Sequence, residues 1–167
     1  MLVLIRHAEI PKEIENPSIT EKGVKQARKL AEHLSKQEID KAYVSTLERA
    51  GQTWQEYNRI KPLTLTEHTD KAREIYRVIV GGPEKTGTPA SREKEDRKRV
   101  DEFYKKLVKE SKERTILVFT HGNLINYFIA KTRKTNPKKR WVVTINYCSI
   151  TIIKDKKILL ENSMEYL

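Results

Sequence analysis

Two short apolar runs, far apart in the chain, end in the same way, and this pairing constrains the fold more than any other feature. Leu2-Val3-Leu4-Ile5 stops abruptly at Arg6-His7, and Thr115 to Thr120 (Thr-Ile-Leu-Val-Phe-Thr) delivers His121-Gly122-Asn123. Runs of this length, apolar throughout and closed by charge, suit strands buried on both faces, as in a parallel sheet covered by helices. In open α/β sheets ligands bind beyond the carboxyl ends of the strands. Both histidines are therefore expected at one end of one sheet.

The intervening pattern supports alternation of strand and helix. Thr20 reads as the N-cap of a helix running to about Leu34, with Val24, Ala27, Ala31 and Leu34 on one face and His33 at its surface. Ile39 to Ser45 reads as a strand, with Ser45 or Thr46 capping a helix whose buried face is Leu47, Ala50, Trp54 and Tyr57. Arg49 lies off that stripe in the first turn, where the helix dipole disfavours a cation. It calls for a nearby anion, either a ligand or Glu48 or Glu56. Lys61 to Thr66 alternates like a short strand, and Glu67 to Gly82 reads as irregular rim structure carrying Glu67, Asp70 and Glu74.

Ser91 to Ser111 is expected to be a helix capped by Ser91 and buried through Val100, Phe103, Leu107 and Val108; its charged start is a solvated face. Leu124 to Lys131 reads as a helix whose first amides point where His121 points. Lys131 to Arg140 is a basic loop. Trp141 to Tyr147, Ser149 to Ile153 and Lys157 to Glu161 read as strands, the last two joined by a turn at Lys154-Asp155-Lys156. Ile10 to Pro17 is a loop over the first strand end. The expected class is α/β, and 167 residues suffice for a single domain, 1–167.

Composition narrows the setting. The lone Cys148 cannot form an internal disulfide and reads as a buried thiol in a reducing compartment. With no signal-peptide pattern and no apolar run of about 18 residues, a cytoplasmic protein with no membrane association is expected. A formal charge of +11 favours anionic partners: phosphorylated metabolites, phosphoproteins or nucleic acid. The last ranks below the others, because the basic loop lacks interleaved aromatics. The Lys/Glu-rich composition is also that of thermophile proteins, so part of the charge is expected to be stabilising surface.

Arg6, His7, Arg49 and His121 together suit a phosphoryl group. Two guanidinium forks can bind its nonbridging oxygens, and a neutral imidazole is a competent nucleophile near neutral pH. Attack would give a phosphohistidine, later split by water, with Arg6, Arg49, His121 and the amides beyond it stabilising the equatorial oxygens. The leaving alcohol needs a proton, which a rim carboxylic acid could supply. His-Glu-x-x-His, Cys-x-x-Cys, Walker A and Gly-x-Gly-x-x-Gly are all absent, so no metal or cofactor is expected.

These residues closely resemble the histidine phosphatase superfamily, the phosphoglycerate mutase-like proteins. Leu4-Ile5-Arg6-His7-Ala8-Glu9 is similar to the family's Arg-His-Gly motif with Ala8 for glycine. Thr20 to Ala27 resembles Leu-Thr-x-x-Gly-x-x-Gln-Ala, Ser45 to Thr53 resembles Ser-x-Leu-x-Arg-Ala-x-Gln-Thr, and Thr120-His121-Gly122 resembles Ser/Thr-His-Gly. The resemblance implies a three-layer α/β/α fold with a mostly parallel central sheet and helices on both faces. It implies His7 as nucleophile and Arg6, Arg49, His121 and Gly122 in the phosphate pocket, with Asn16 matching a loop asparagine that contacts phosphate. Ala72-Arg73-Glu74-Ile75 resembles Leu-Arg-Glu-Ile and makes Glu74 the proton donor; Glu67 is its rival, because the family's next segment is degraded here to Val78 to Gly82. The short chain leaves little room for mutase insertions, so a phosphatase is expected ahead of a mutase. Its substrate would be a phosphorylated small molecule or phosphoprotein, and the chain a monomer or homodimer.

Overall fold

The computed structural model describes residues 1–11, 16–81, 90–140 and 143–166. Six strands, β1 (Leu2–Arg6), β2 (Lys41–Ser45), β3 (Thr66–Thr69), β4 (Ile116–Thr120), β5 (Ile150–Lys154) and β6 (Lys157–Ser163), form one sheet in the order β3-β2-β4-β1-β5-β6. The first four in that order run parallel, while β5 is antiparallel to β1 and to β6. The helices are α1 (Glu21–Ser35), α2 (Glu48–Ile60), α3 (Ala90–Glu110) and α4 (Gly122–Thr132).

Side-chain alternation splits the apolar runs between two cores. Leu2 and Leu4 of β1 and Ile116 and Val118 of β4 pack with Val100, Phe103 and Leu107 of α3 and Leu124, Ile125 and Phe128 of α4. Val3, Ile5, Leu117 and Phe119 face the other way, onto Ala27, Leu30, Ala31 and Leu34 of α1 and Tyr57 of α2. Leu2 to Ile5 and Ile116 to Phe119 are thus apolar at every position because both faces of the sheet are covered there. The result is the expected three-layer α/β/α arrangement, with a mostly parallel sheet between two helical layers.

Thr20 caps α1 by accepting from the Gly23 amide at 2.9 Å. The α2 cap differs from expectation. Leu47 occupies the N-cap position without a side-chain bond, because Ser45 is held by His121 and Thr46 by the Asp70 carboxylate. Asn16 supplies the cap from a distance instead, its Oδ1 accepting from the Glu48 amide at 3.2 Å.

The expected strand at Lys61 to Thr66 lies elsewhere. Lys61 ends α2 through its amide on the Tyr57 carbonyl, Leu63 is tied to Asn58, and Leu65 is 51% exposed. Pairing with β2 begins only at Thr66. Of the expected strand at Trp141 to Tyr147, residues 143–147 are irregular and the first two positions lie outside the described residues. The β5–β6 turn is the two-residue Asp155-Lys156, both at positive φ (48° and 58°), a pair of signs that matches strand twist. Ser91 lies inside α3 rather than ahead of it. Lys12 to Glu15 of the first loop, and Gly82 at the end of the rim segment, lie outside the described residues. Among the described residues no helix is long and apolar enough to cross a membrane.

Candidate active site

Parallel pairing of β1 with β4, Arg6 opposite Thr120, brings the two remote histidines together. The His7 amide donates to the Thr120 carbonyl at 2.9 Å, and the rings of His7 and His121 lie 5.2 Å apart between centroids. Both side chains are buried, His7 at 3% and His121 at 0% exposure.

Two bonds define the state of His7. Its Nδ1 lies 2.8 Å from the Ala8 carbonyl, which only accepts, so Nδ1 carries the proton. Arg49 Nε–H donates to His7 Nε2 at 3.2 Å, so Nε2 presents a lone pair. Burial, with smaller contributions from Arg6 and Arg49, lowers the His7 pKa to about 3. His121 is also held well below the ordinary imidazole value, chiefly by burial, then by His7, Arg49 and Arg6. Its Nε2 is hydrogen-bonded to Ser45 Oγ at 2.8 Å, and its Nδ1 has no hydrogen-bond partner among the described residues.

The two arginines come from different elements. Arg6 ends β1; its guanidinium donates to the Ile145 carbonyl and stacks 4.0 Å from the Tyr147 ring centre. The segment that provides both groups is fixed by Asn162, whose Oδ1 accepts from the Asn146 amide (2.7 Å) and whose Nδ2 donates to the Thr144 carbonyl (3.0 Å). Arg49 projects from the first turn of α2. Thr53, one turn on, accepts from the Ala8 amide at 2.9 Å and donates to the Arg49 carbonyl at 2.7 Å, joining the helix to the residue after His7. Burial lowers the pKa of both guanidiniums, partly offset by Glu74. Two partly buried cations against one carboxylate leave positive charge that a phosphoryl dianion would neutralise.

Glu74 caps α4 from outside. Its carboxylate accepts from the amides of Ile75 (3.0 Å), Leu124 (3.2 Å) and Asn123 (3.4 Å). Burial raises its pKa, opposed by those amides and by Arg6 and Arg49. This corrects one expectation: the Asn123 and Leu124 amides serve a carboxylate of the chain rather than pointing freely at a ligand. Gly122 opens α4 beside Arg6, where an added Cβ would stand 3.6 Å from Nε, an ordinary contact.

Other expected residues are placed apart from this cluster. Glu67 pairs opposite Tyr43 on β3 and forms ion pairs with Lys41 (3.6 Å) and Lys106 (3.5 Å) beside α3. Asn16, at φ 47°, has its Oδ1 on α2. Ala8 is fully buried in the α1/α2 core, so its methyl packs inward. Cys148 sits in a tight turn at φ 56° rather than in a strand, and burial pushes its thiol up to about 12. His33 stacks on Tyr166 at 5.0 Å. Within the basic loop Lys131 is paired with Asp101 (2.9 Å) and Arg133 with Glu161 (2.6 Å).

Sequence reasoning missed Ser45, Thr53, Tyr147 and Gly23 as site-building residues. Gly23 carried a usable signal as the one glycine early in α1: an added Cβ would lie 2.4 Å from the Glu9 carbonyl oxygen, so the helix can approach the chain beyond His7 only without a side chain. Among the described residues no group of three or more His, Cys, Asp or Glu is placed to hold a metal ion.

Comparison with solved structures finds the same fold in other proteins. A phosphoserine phosphatase mutant from Entamoeba histolytica, in complex with phosphoserine, superposes with a TM-score of 0.77 at 22% identity, covering 99% of this chain and 98% of that one. The alpha-ribazole phosphatase from Shigella flexneri gives 0.76 at 20% identity, covering 97% and 96%. YhfR of Bacillus stearothermophilus gives 0.75 at 20%, covering 99% and 98%. No curated protein matches the chain in sequence. The family model for the histidine phosphatase superfamily (branch 1) matches residues 2–93 and 55–157, and the chain belongs to that superfamily.

Proposed function

We propose that the chain is a phosphomonoesterase acting through a phosphohistidine on His7, without a metal. The observation that carries this reading is the state of His7: Nδ1–H is engaged by the Ala8 carbonyl, and Nε2 is an unprotonated acceptor facing the Arg49 guanidinium. A neutral imidazole fixed in that tautomer needs no base before attacking phosphorus.

In the first step Nε2 bonds to phosphorus while the bond from phosphorus to the leaving oxygen breaks. Glu74, whose pKa burial raises, gives that oxygen its proton. Arg6, Arg49 and His121 hold the three equatorial oxygens, and Arg49 exchanges its bond to Nε2 for the phosphoryl group. In the second step the Glu74 carboxylate takes a proton from water, the water oxygen bonds to phosphorus, and the bond from phosphorus to nitrogen breaks. Inorganic phosphate leaves and Glu74 is again an acid.

Hydrolysis is preferred to a mutase reaction because two of the structural relatives that match end to end, from Entamoeba histolytica and Shigella flexneri, are named phosphatases. The substrate class is a phosphorylated small molecule or phosphoprotein, drawn in by the net charge of +11. The setting is a cytoplasmic one, which suits a lone buried thiol, and residues 1–167 form one catalytic domain. The test is metal-free hydrolysis of p-nitrophenyl phosphate, inhibited by vanadate, followed by a panel of phosphorylated metabolites and phosphopeptides. His7→Ala should lose turnover and acid-labile phosphate labelling together; a variant that kept normal turnover would remove His7 as the nucleophile.

A further inference from the structure

Glu74 lies in a stretch with little regular structure: a single 3₁₀ turn, Asp70–Ala72, then residues 73–76 between that turn and the next. Such a segment moves unless its backbone is tied elsewhere. Here every carbonyl from Asp70 to Glu74 is engaged by a side chain of another element. Arg99 on α3 donates from one terminal nitrogen to the carbonyls of Asp70 (3.0 Å), Lys71 (3.0 Å) and Arg73 (3.1 Å), and from the other to that of Glu74 (3.3 Å). Thr120, next to His121, donates to the remaining one, Ala72, at 2.6 Å.

Arg99 is itself aimed by Asp96, whose Oδ1 accepts from its second terminal nitrogen (2.6 Å) and from Nε (3.1 Å). The other carboxylate oxygen of Asp96 accepts from the Tyr76 amide at 3.3 Å, beyond Glu74. The pair therefore grips the backbone on both sides of the carboxyl group. Only a planar fork can serve several carbonyls and a carboxylate at once; a lysine ammonium has neither the reach nor the geometry.

We infer that Arg99 and Asp96 are positioning residues for the proton donor, a clamp from α3 that sets where the Glu74 carboxyl meets the leaving oxygen. The inference rests on the reading of Glu74 as the acid. Among the described residues the hydrogen bonds of Arg99 and Asp96 go to the backbone of residues 70–76 and to each other rather than to Arg6, His7, Arg49 or His121, so their effect should fall on leaving-group protonation ahead of phosphate binding.

The experiment compares Arg99→Lys, Asp96→Asn and Glu74→Gln on p-nitrophenyl phosphate, whose leaving group needs little protonation, and on phosphoserine, whose alkoxide needs it fully. Amide hydrogen exchange of residues 70–76 is followed in parallel. Glu74→Gln should lose about a hundredfold or more in kcat on phosphoserine and far less on p-nitrophenyl phosphate. Arg99→Lys should lose about tenfold on phosphoserine alone, with KM little changed and faster exchange at 70–76, since small misplacements of a catalytic group are costly. Asp96→Asn, which keeps the Arg99 bonds to the carbonyls, should show the same selectivity to a lesser degree and serves if Arg99→Lys does not fold. Equal losses on both substrates, or unchanged exchange, would overturn the clamp. A selective Glu74→Gln beside an unselective Arg99→Lys overturns the clamp alone, whereas an unselective Glu74→Gln overturns the acid assignment and the clamp with it.

Discussion

Neutral burial of His7 makes stability depend on pH in a way that can be sized. The unfolded imidazole titrates near 6.5, and in the folded chain burial lowers the pKa to about 3. Below pH 6.5 the unfolded state therefore binds a proton that the folded state refuses, so stability falls as pH falls and keeps falling until the folded pKa is reached. At pH 5 the unfolded chain is almost fully protonated at this position and the folded chain almost not at all, which costs about 2 kcal/mol relative to pH 8. For a chain of this size that corresponds to a drop of roughly 4–8 °C in Tm. The assay is thermal or urea unfolding from pH 8 to pH 5, for the natural chain and for His7→Asn, whose carboxamide can still donate to the Ala8 carbonyl. His121 and the carboxylates are present in both proteins, so the difference between the two curves reports chiefly on His7. That difference should move by about 2 kcal/mol in favour of the variant toward acid, and saturating phosphate should flatten it by placing a dianion against the imidazole. A difference that stays level from pH 8 to pH 5 refutes the neutral, buried nucleophile.

Other consequences follow from the same geometry. Gly23→Ala, which in an open helix would stabilise by about 1 kcal/mol, should here destabilise by about 1–3 kcal/mol in urea unfolding and lower kcat. The reason is that its Cβ would meet the Glu9 carbonyl oxygen at 2.4 Å, two residues from the nucleophile; a more stable variant with full activity contradicts the close approach. Glu67→Gln should leave kcat on phosphoserine unchanged and cost no more than about 1 kcal/mol, because its partly exposed ion pairs with Lys41 and Lys106 are its main contacts. A selective loss on phosphoserine would return Glu67 to the site.

Much of the fold is legible because it is written locally. A strand buried on both faces needs an unbroken apolar run, and Leu2 to Ile5 and Ile116 to Phe119 are such runs. An amphipathic helix needs one apolar stripe and an N-cap, and Thr20 with Ala27, Ala31 and Leu34 supplies both. The failures have equally local causes. Leu63 and Leu65 alternate like a strand, but Lys61 and Leu63 are tied to the end of α2, and Leu65 gives β2 only its carbonyl, to the Ala42 amide at 2.9 Å, before the ladder begins at Thr66. Ser45 does not cap α2: its hydroxyl is held by His121, a residue 76 positions away, and by the Leu47 amide just ahead of the helix.

The sequence by itself determined the strand-end histidines, the arginine beside His7 and the alternation of layers, since these depend on neighbours within one or two turns. Only the tertiary structure decided what those groups do together. Insertion of β4 between β2 and β1 sets His121 against His7 and Ser45. Two carboxylates seven positions apart are also separated only in space: β3 pairing delivers Glu67 to Lys41 and to Lys106 of α3, while the turn after it carries Glu74 to the start of α4. Proximity across a sheet and the desolvation that sets an imidazole's charge arise from segments distant in the chain, and no local pattern of residues encodes them.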